Sequence, residues 1–254
     1  MIFLDSLFGW IGGKKLLRQR ICNEFPENFK TYVEVFGGAG WVLFHKERHA
    51  HTEVYNDLNS NLVNLFRCVK HHSQAVEDEI SYTLNAREIF ECFKQQSESG
   101  LTDIQRAARF LYLIRASYGS NTRQYGAKPR KMKRAEQIGN ISQRLEQVVI
   151  ENKSYDKLIM AYDKETTLFY CDPPYYKTED MYDTGGFIFD ESKHRNLRDI
   201  IGQCKGKAIV SYNDCDFIRS LYKGFHIIEI ERQNNLANRY KVDARYRELI
   251  IKNF

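Results

Sequence analysis

The sequence predicts an α/β fold with a mixed, mostly parallel sheet and a helical insertion, on three observations. Short runs of β-branched and aromatic residues alternate with helical spacing at both ends of the chain. Residues 58–147 show helical spacing and no strand. The last two strand-like runs follow each other as in a hairpin, which predicts an antiparallel edge strand. We therefore expect one domain formed by residues 1–57 and 148–254, with residues 58–147 inserted into it.

The first two predicted strands and the turn between them are typical of a nucleotide-binding unit. Residues 31–36 predict a strand, the glycine-rich residues 37–40 a turn, and residues 41–44 the start of a helix. Glycines let the backbone approach a ligand, and a helix N-terminus offers free N–H groups. The next strand, residues 53–57, ends at an acid about twenty residues past the glycines, where such folds hold a ribose. A solvated strand end or a helix N-cap is the alternative for this acid, Asp57.

The N-terminal loop, residues 6–15, adds two side chains that could hold a ligand. Gly12 and Gly13 interrupt the chain before a segment of helical spacing. Trp10 offers a flat apolar platform, and Lys14 offers a charge that suits a carboxylate. An ordinary N-terminal turn is the alternative.

The middle of the chain predicts helices and then a basic loop. Helices are expected at residues 58–70 and 86–93, from the capping box Thr102-x-x-Gln105 to near Gly119, and at residues 135–147. Residues 118–134 contain six Lys and Arg and no acid, in a chain with 33 Asp and Glu. Basic side chains bind phosphate, and interleaved tyrosines and amides stack on bases or read their edges. A solvated loop is the alternative, but the lack of acids favours nucleic acid.

The second half of the chain predicts the remaining strands. They are expected at residues 148–150, 166–171, 207–212, 225–230 and 246–251, with helices at 154–162, 194–204 and 217–221. In a doubly wound sheet the strand at 148–150 would flank the one at 166–171. Residues 177–189, rich in Gly, Asp and aromatic residues, resemble a mobile active-site loop.

The strand at 166–171 stops at Asp172-Pro173-Pro174-Tyr175. Proline cannot extend a central strand, and a residue that precedes a proline is kept out of the helical region. This rigid tip presents a carboxylate, a carbonyl without a competing N–H, and an aromatic face. Ligands of open α/β sheets bind at such strand ends, so the tip is a candidate active site.

The tip suits a reaction at an exocyclic aromatic amine, whose lone pair is delocalised into its ring. A carboxylate and a carbonyl can accept both amino hydrogens and localise that lone pair for attack, while an aromatic side chain holds the ring. No second carboxylate or His stands beside Asp172, and no Walker loop is present, so two-metal chemistry and nucleotide hydrolysis are disfavoured. S-adenosylmethionine, a nucleoside that carries an amino acid group, fits the glycine turn, Asp57, Trp10 and Lys14 together.

Over most of its length the chain resembles the Dam-type DNA adenine-N6 methyltransferases, in the subgroup whose recognition lobe is inserted between cofactor and catalytic motifs. The matching parts are Trp10-x-Gly12-Gly13-Lys14, Phe36-x-Gly38-x-Gly40, Asn56-Asp57, Asp172-Pro173-Pro174-Tyr175 and Ser211-Tyr212-Asn213. The resemblance implies a Rossmann-like fold and methyl transfer from S-adenosylmethionine to N6 of a flipped-out adenine in a specific double-stranded DNA sequence. It implies no metal.

The resemblance also implies roles for individual residues. Asp172 and the Pro173 carbonyl would accept hydrogen bonds from the target amine, and Tyr175 would stack on the adenine, with Pro174 completing the catalytic motif. The cofactor-binding candidates are Trp10, Gly13, Lys14, Phe36, Gly38, Gly40, Asp57 and Asp172. The DNA-binding candidates, in a recognition loop over residues 115–134, are Tyr118, Asn121, Arg123, Lys128, Arg130 and Lys131.

The recognition sequence is expected to be GATC or a related site. GATC-specific members carry Arg-aromatic-Gly-Tyr-Asn-Gly, where this chain has Arg115-Ala116-Ser117-Tyr118-Gly119-Ser120 and lacks the amide. Arg123 stands about where those members place a guanine-reading Arg. Adenine methylation is therefore a firmer expectation than GATC itself.

Other activities use related chemistry. Methylation of RNA adenine, of cytosine N4 or of a glutamine amide would need a similar planar amine, and a catalytically dead DNA-binding relative would keep the same fold. Asp at position 172 and the basic lobe favour nucleic acid over protein, whereas cytosine-N4 enzymes more often begin the motif with Ser. Intact glycines and an intact tip argue against a dead relative.

Composition bears on where the protein is located and what it contacts, and less on its activity. The net charge is +5 with a pI of about 8.7, so the distribution of charge matters more than its sum. The six cysteines show no metal-ligand spacing, and neither a signal peptide nor a membrane-spanning run is evident. We expect a cytoplasmic monomer that does not contact a membrane and that has a cognate restriction endonuclease as a candidate partner.

Overall fold

A seven-stranded sheet forms the centre of the protein in this computed structural model, which describes residues 4–127, 135–177, 188–233 and 245–254. Its strands are β1 (Thr31–Glu34), β2 (Thr52–Asn56), β3 (Val148–Glu151), β4 (Thr167–Cys171), β5 (Lys207–Asn213), β6 (His226–Gln233) and β7 (Arg245–Lys252). Their spatial order is β3-β2-β1-β4-β5-β7-β6. The first five strands are parallel, whereas β7 is antiparallel to both β5 and β6. The predicted mixed, mostly parallel sheet with antiparallel pairing at one edge is confirmed.

Eight helices surround this sheet in the described part of the chain. They are α1 (Arg18–Asn23), α2 (Ser60–Ser81), α3 (Arg87–Gln95), α4 (Asp103–Ala116), α5 (Ala135–Leu145), α6 (Tyr155–Tyr162), α7 (Glu191–Gln203) and α8 (Asp216–Leu221). The predicted capping box of α4 is present, because the Thr102 hydroxyl accepts from the Gln105 N–H while the Gln105 side chain accepts from the Thr102 N–H. None of the described helices is both long and apolar enough to cross a membrane.

Side chains alternate between two cores along the strands, as a pleated sheet requires. In β1, Tyr32 joins the core on one face and Val33 the core on the other. The Tyr32 face packs against α2, α4 and α5, including Phe66 and Leu111. The Val33 face packs against α6, α7 and α8, including Leu197. The helices of residues 58–147 therefore share a core with the sheet.

The strand order reverses between β1 and β4. The chain first builds β1, β2 and β3 towards one edge and then returns to place β4 on the other side of β1. Ligands of open α/β sheets bind outside the strand carboxyl ends at such a reversal.

The expected position of residues 148–150 beside residues 166–171 is wrong. Strand β3 pairs with β2 at the sheet edge, with Val149 opposite Val54. The burial patterns explain the difference: all five residues of β4 are buried, as a central strand needs, whereas Val149 is 42% exposed and suits an edge.

The helix expected to begin at residues 41–44 is also absent. A single 3-10 turn spans Leu43–His45, and the chain then returns to β2. The Arg144 guanidinium of α5 donates to the Leu43 and Lys46 carbonyls at 3.0 and 2.9 Å, so a distant side chain satisfies groups that a helix would have paired. A buried ion pair between Arg144 and Glu53 holds this arrangement.

Candidate active site

One cleft lies at the carboxyl ends of the strands where their order reverses. Its walls come from the N-terminal loop, the turn after β1, the end of β2 and the tip after β4. About 910 Å³ of space not occupied by atoms lies within and in front of these walls, open solvent included. The predicted site residues that line it are Trp10, Gly13, Lys14, Phe36, Gly38, Asp57, Asp172 and Pro174.

The turn after β1 needs glycine for conformation and for space. Gly38 and Gly40 have φ angles of +49° and +68°, which side-chain-bearing residues rarely adopt. A Cβ on Gly38 would lie 3.0 Å from the Trp10 ring, and one on Gly40 would lie 2.6 Å from Phe44. Gly40 is not among the residues that line the cleft. Gly40 therefore shapes the turn, and it does not line the space where a ligand would lie.

Asp57 fixes this turn to the end of β2. Its carboxylate accepts from the Gly38 N–H and from the Asn59 N–H, both at 2.8 Å. Burial raises the pKa of Asp57, and the hydrogen bonds from the Asn59 and Gly38 backbones oppose that rise. The N-cap of α2 is Asn59, whose side chain accepts from the first turn. Asp57 lines the cleft. Because Asn59 caps α2, the alternative in which Asp57 is the N-cap of that helix does not hold.

Asp172 is anchored from two directions at the end of β4. The Lys14 ammonium lies 2.7 Å from each carboxylate oxygen, and the Ser211 hydroxyl donates to Oδ1 at 2.8 Å. The Tyr170 hydroxyl lies 3.0 Å from the Ser211 hydroxyl and extends this network. Burial raises the pKa of the Asp172 carboxyl. Lys14 and Ser211 oppose that rise, and Glu248 adds to it.

The Lys14 ammonium also lies over the ring of Tyr175. It is 4.6 Å from the ring centroid, within the range of a cation–π contact, and it donates to the Gly12 carbonyl at 2.7 Å. The space between the Asp172 carboxylate and the Tyr175 ring therefore holds a nitrogen that donates hydrogen bonds. Lys14 is 4% exposed, so water does little to screen these interactions.

Three of the six candidate DNA-binding residues lie in the part of the chain that the structure describes. Tyr118, Asn121 and Arg123 lie on a compact loop after α4, outside the cleft, and Tyr118 is 55% exposed. The Asn121 side-chain oxygen accepts from the backbone N–H groups of Arg123 and Gln124, so it shapes the loop. The candidates Lys128, Arg130 and Lys131, and most of the predicted active-site loop at residues 177–189, lie outside the described residues.

Two buried acids at the site escaped the sequence analysis. Glu34, on β1, lines the cleft and accepts from the Tyr32 hydroxyl at 2.8 Å; burial raises its pKa to about 8. Glu248, on β7, accepts from the Tyr175 hydroxyl at 2.5 Å. Glu34 is an acid inside an otherwise apolar and aromatic run, and that pattern was the available signal, whereas Glu248 directly follows Arg247 and its run gives no such signal.

The reversal of strand order, the glycine turn held by an acid and the anchored strand-end carboxylate define a Rossmann-like methyltransferase. No group of His, Cys, Asp and Glu suited to a metal ion occurs among the described residues. A family model described as D12 class N6 adenine-specific DNA methyltransferase matches residues 10–236. The chain belongs to this family of enzymes, which confirms the resemblance and methylation of adenine N6 in DNA as the activity.

Relatives of known name match almost the whole chain at low identity. The type II methyltransferase M.CviBI of Paramecium bursaria Chlorella virus NC1A is 25% identical over 99% of this chain and 100% of its own length. The type II methyltransferase M1.LlaDCHI of Lactococcus lactis subsp. cremoris is 25% identical over 96% and 94%. The DNA adenine methylase of Escherichia coli K12 is 24% identical over 92% and 91%.

Proposed function

We propose that the cleft binds S-adenosylmethionine and that the tip Asp172–Tyr175 holds the target adenine of a double-stranded DNA site. The observation that carries this proposal is the position of the Lys14 ammonium. A hydrogen-bond-donating nitrogen bound by the Asp172 carboxylate and stacked over Tyr175 occupies the place that an exocyclic amine needs.

The residues around the cleft fit the cofactor in shape and in chemistry. The Gly38 turn lines the cleft, and the lack of a Cβ there lets the Trp10 ring pack closely against it. Asp57 faces the cleft as an acceptor for ribose hydroxyls, and Trp10 and Phe36 offer apolar surfaces for the rest of the nucleoside. When bound, S-adenosylmethionine supplies an electrophilic methyl group.

Residues of the tip prepare the nucleophile. Asp172 and the Pro173 carbonyl accept the two amino hydrogens of adenine, which favours a tetrahedral nitrogen with a localised lone pair. The Tyr175 ring stacks on the base and holds it in line for attack. The target adenine must first leave the duplex, because its amine cannot reach the tip from within the base stack.

Lys14 must change partners during this cycle. In the present structure its ammonium occupies both oxygens of Asp172, so the target amine cannot bind there at the same time. A ligand carboxylate in the cleft would offer Lys14 a second partner of the same charge as Asp172. We propose that Lys14 then moves towards that carboxylate and leaves Asp172 open to the amine.

The target sequence is read, in this proposal, by the loop after α4 and the basic residues that follow it, including Lys128, Arg130 and Lys131. We infer a site related to GATC rather than GATC itself, because the amide of the GATC-specific pattern is missing. Two relatives are named type II methyltransferases, which supports a cognate restriction endonuclease as a partner. We further propose that the enzyme acts as a monomer.

The test is methyl transfer from labelled S-adenosylmethionine to adenine-containing duplex DNA. Wild-type protein is expected to label N6 of adenine, and Asp172→Ala is expected to lose about 10³-fold or more of the rate. Asp214→Ala is the matched control, because Asp214 follows the neighbouring strand β5 but pairs with Arg219. Label in RNA, in protein or at cytosine N4 would contradict the proposal, and binding of cofactor without transfer would indicate an inactive enzyme.

A further inference from the structure

A second buried carboxylate lies behind the catalytic tip, and the chemistry proposed above does not use it. Glu248 is 2% exposed on β7, where it stands opposite Asn213 of β5. The Tyr175 hydroxyl donates to Glu248 Oε2 at 2.5 Å, which is a short hydrogen bond to a carboxylate oxygen. Such bonds are about twice as strong as those between neutral groups.

This bond acts on the Tyr175 side chain, whose rotamer the two prolines of the tip do not determine. Pro173 and Pro174 restrict the backbone, but the Tyr175 side chain still has its own rotamers. With its hydroxyl bonded to Glu248 of β7, the side chain cannot leave its χ1 rotamer without breaking the bond. The ring face that remains towards Asp172 is the one over which the Lys14 ammonium lies.

We propose that Glu248 is a positioning residue that holds the Tyr175 side chain in the χ1 rotamer required for stacking on the target base. The proposal rests on the function proposed for Tyr175, and it goes further by giving that ring a partner from the last strand. Glu248 itself does not touch the base.

A purely structural role for Glu248 would be to hold β7 in the sheet. Strand β7 is already paired along its length, with Glu248 opposite Ile230 of β6 as well as Asn213 of β5. Tyr175→Phe removes the same hydrogen bond from the other end and leaves β7 unchanged. The two roles therefore predict different results for a pair of substitutions.

The experiment first locates the adenine that the wild-type enzyme methylates, by sequencing DNA from cells with and without the protein. A duplex with 2-aminopurine at that position then reports stacking of the flipped base by its fluorescence. We expect Tyr175→Phe and Glu248→Ala each to slow single-turnover methylation about tenfold and to raise the fluorescence of the complex. The double variant is expected to be no slower than the slower single variant.

Two further variants separate positioning from folding. Glu248→Gln keeps an acceptor for the Tyr175 hydroxyl and is expected to retain most of the rate, with unchanged cofactor affinity. Tyr112→Phe is the matched control, since its buried hydroxyl donates to the Leu84 and Ala86 carbonyls far from the tip. It is expected to methylate at the wild-type rate.

The outcomes distinguish this proposal from the one on which it rests. Effects that multiply in the double variant, or an unchanged 2-aminopurine signal, would overturn the role of Glu248 even though the wild type methylates adenine. If Glu248→Ala does not fold, the comparison is made with Glu248→Gln and Tyr175→Phe, and equal fluorescence in wild type and Tyr175→Phe overturns the proposal. A wild-type protein that labels no adenine would overturn both proposals before any variant is made.

Discussion

At the end of β4, Asp172 is held by side chains from remote parts of the chain, whereas the loop after α4 is held mostly by hydrogen bonds among its own residues. Lys14 and Ser211 reach Asp172 from 158 and 39 residues away. In the loop, the Tyr118 N–H donates to the Gln124 carbonyl and the Gly126 N–H donates to the Ala116 carbonyl. The tip Asp172–Tyr175 is therefore a product of the whole fold, whereas the loop is mostly a local structure that Lys94 and Asn85 also contact.

The difference teaches where substitutions are tolerated. Changes at the tip disturb several elements at once, because its partners lie on the N-terminal loop, β5 and β7. Changes in the loop are expected to leave the sheet intact. If the loop reads the target sequence as proposed, this difference would allow that sequence to vary while the methyl-transfer chemistry is kept.

After Asp172→Ala, the largest effect is expected for Gly37→Ala, in the turn that lines the cleft. A Cβ at this position would lie 2.2 Å from the buried Tyr55 ring, whose hydroxyl also donates to the Gly38 carbonyl. We expect about 1–3 kcal/mol of strain and up to about 100-fold weaker S-adenosylmethionine binding, measured by calorimetry. Gly139→Ala is the control, since its Cβ would enter open space on α5; it is expected to stabilise the fold by about 0.5–1 kcal/mol. Equal cofactor affinity in both variants would contradict the proposed role of the turn.

Lys14→Met tests how the positive charge of Lys14 acts on the Asp172 carboxylate. Lys14 lowers the pKa of Asp172 against the effect of burial, so its removal raises that pKa further. In the free enzyme, where Lys14 contacts Asp172, the carboxylate is then lost at a higher pH, and the acid limb of kcat/KM should move to higher pH. At pH 7 we expect kcat/KM to fall about tenfold to a hundredfold, from loss of the charged hydrogen bond that Lys14 is proposed to make with the ligand carboxylate. Lys15→Met, which removes an exposed lysine paired with Asp5, should leave the profile unchanged; an unmoved acid limb in Lys14→Met would contradict the assignment.

The same contrast explains what the sequence could predict. The tip residues and the glycine turn were identified because their chemistry restricts residue type at strand ends, and most helix and strand positions followed from spacing. The bonds of Asp172 with Lys14 and of Tyr175 with Glu248 were not predicted, because they join residues 158 and 73 positions apart. The helix expected at residues 41–44 failed for the same reason, since Arg144 satisfies its carbonyls from about 100 residues away.

Arg123→Ala tests target choice in the loop after α4. Loss of a base-reading arginine is expected to cost about 1–3 kcal/mol and to relax discrimination at one base pair, whereas cofactor affinity should not change. Lys131→Ala is the counterpart, expected to weaken binding on all sequences and to reduce the salt slope by about 1. Methylation of a randomised duplex pool and salt titrations measure the two effects. If both variants changed only nonspecific affinity, Arg123 would have no role in reading bases.

Ser117→Ala is expected to have the smallest effect, and it asks whether the loop must be rigid. The buried Ser117 hydroxyl donates to the Ile114 carbonyl and accepts from the Thr122 N–H, both at 3.0 Å, and so joins the end of α4 to the loop. Its loss should cost about 1 kcal/mol, speed hydrogen exchange at Thr122 and weaken discrimination several-fold without affecting cofactor binding. Ser81→Ala removes a comparable bond at the exposed end of α2 and should leave discrimination unchanged. Faster exchange at Thr122 with undiminished discrimination would mean that side-chain contacts to DNA, rather than the shape of the free loop, select the adenine.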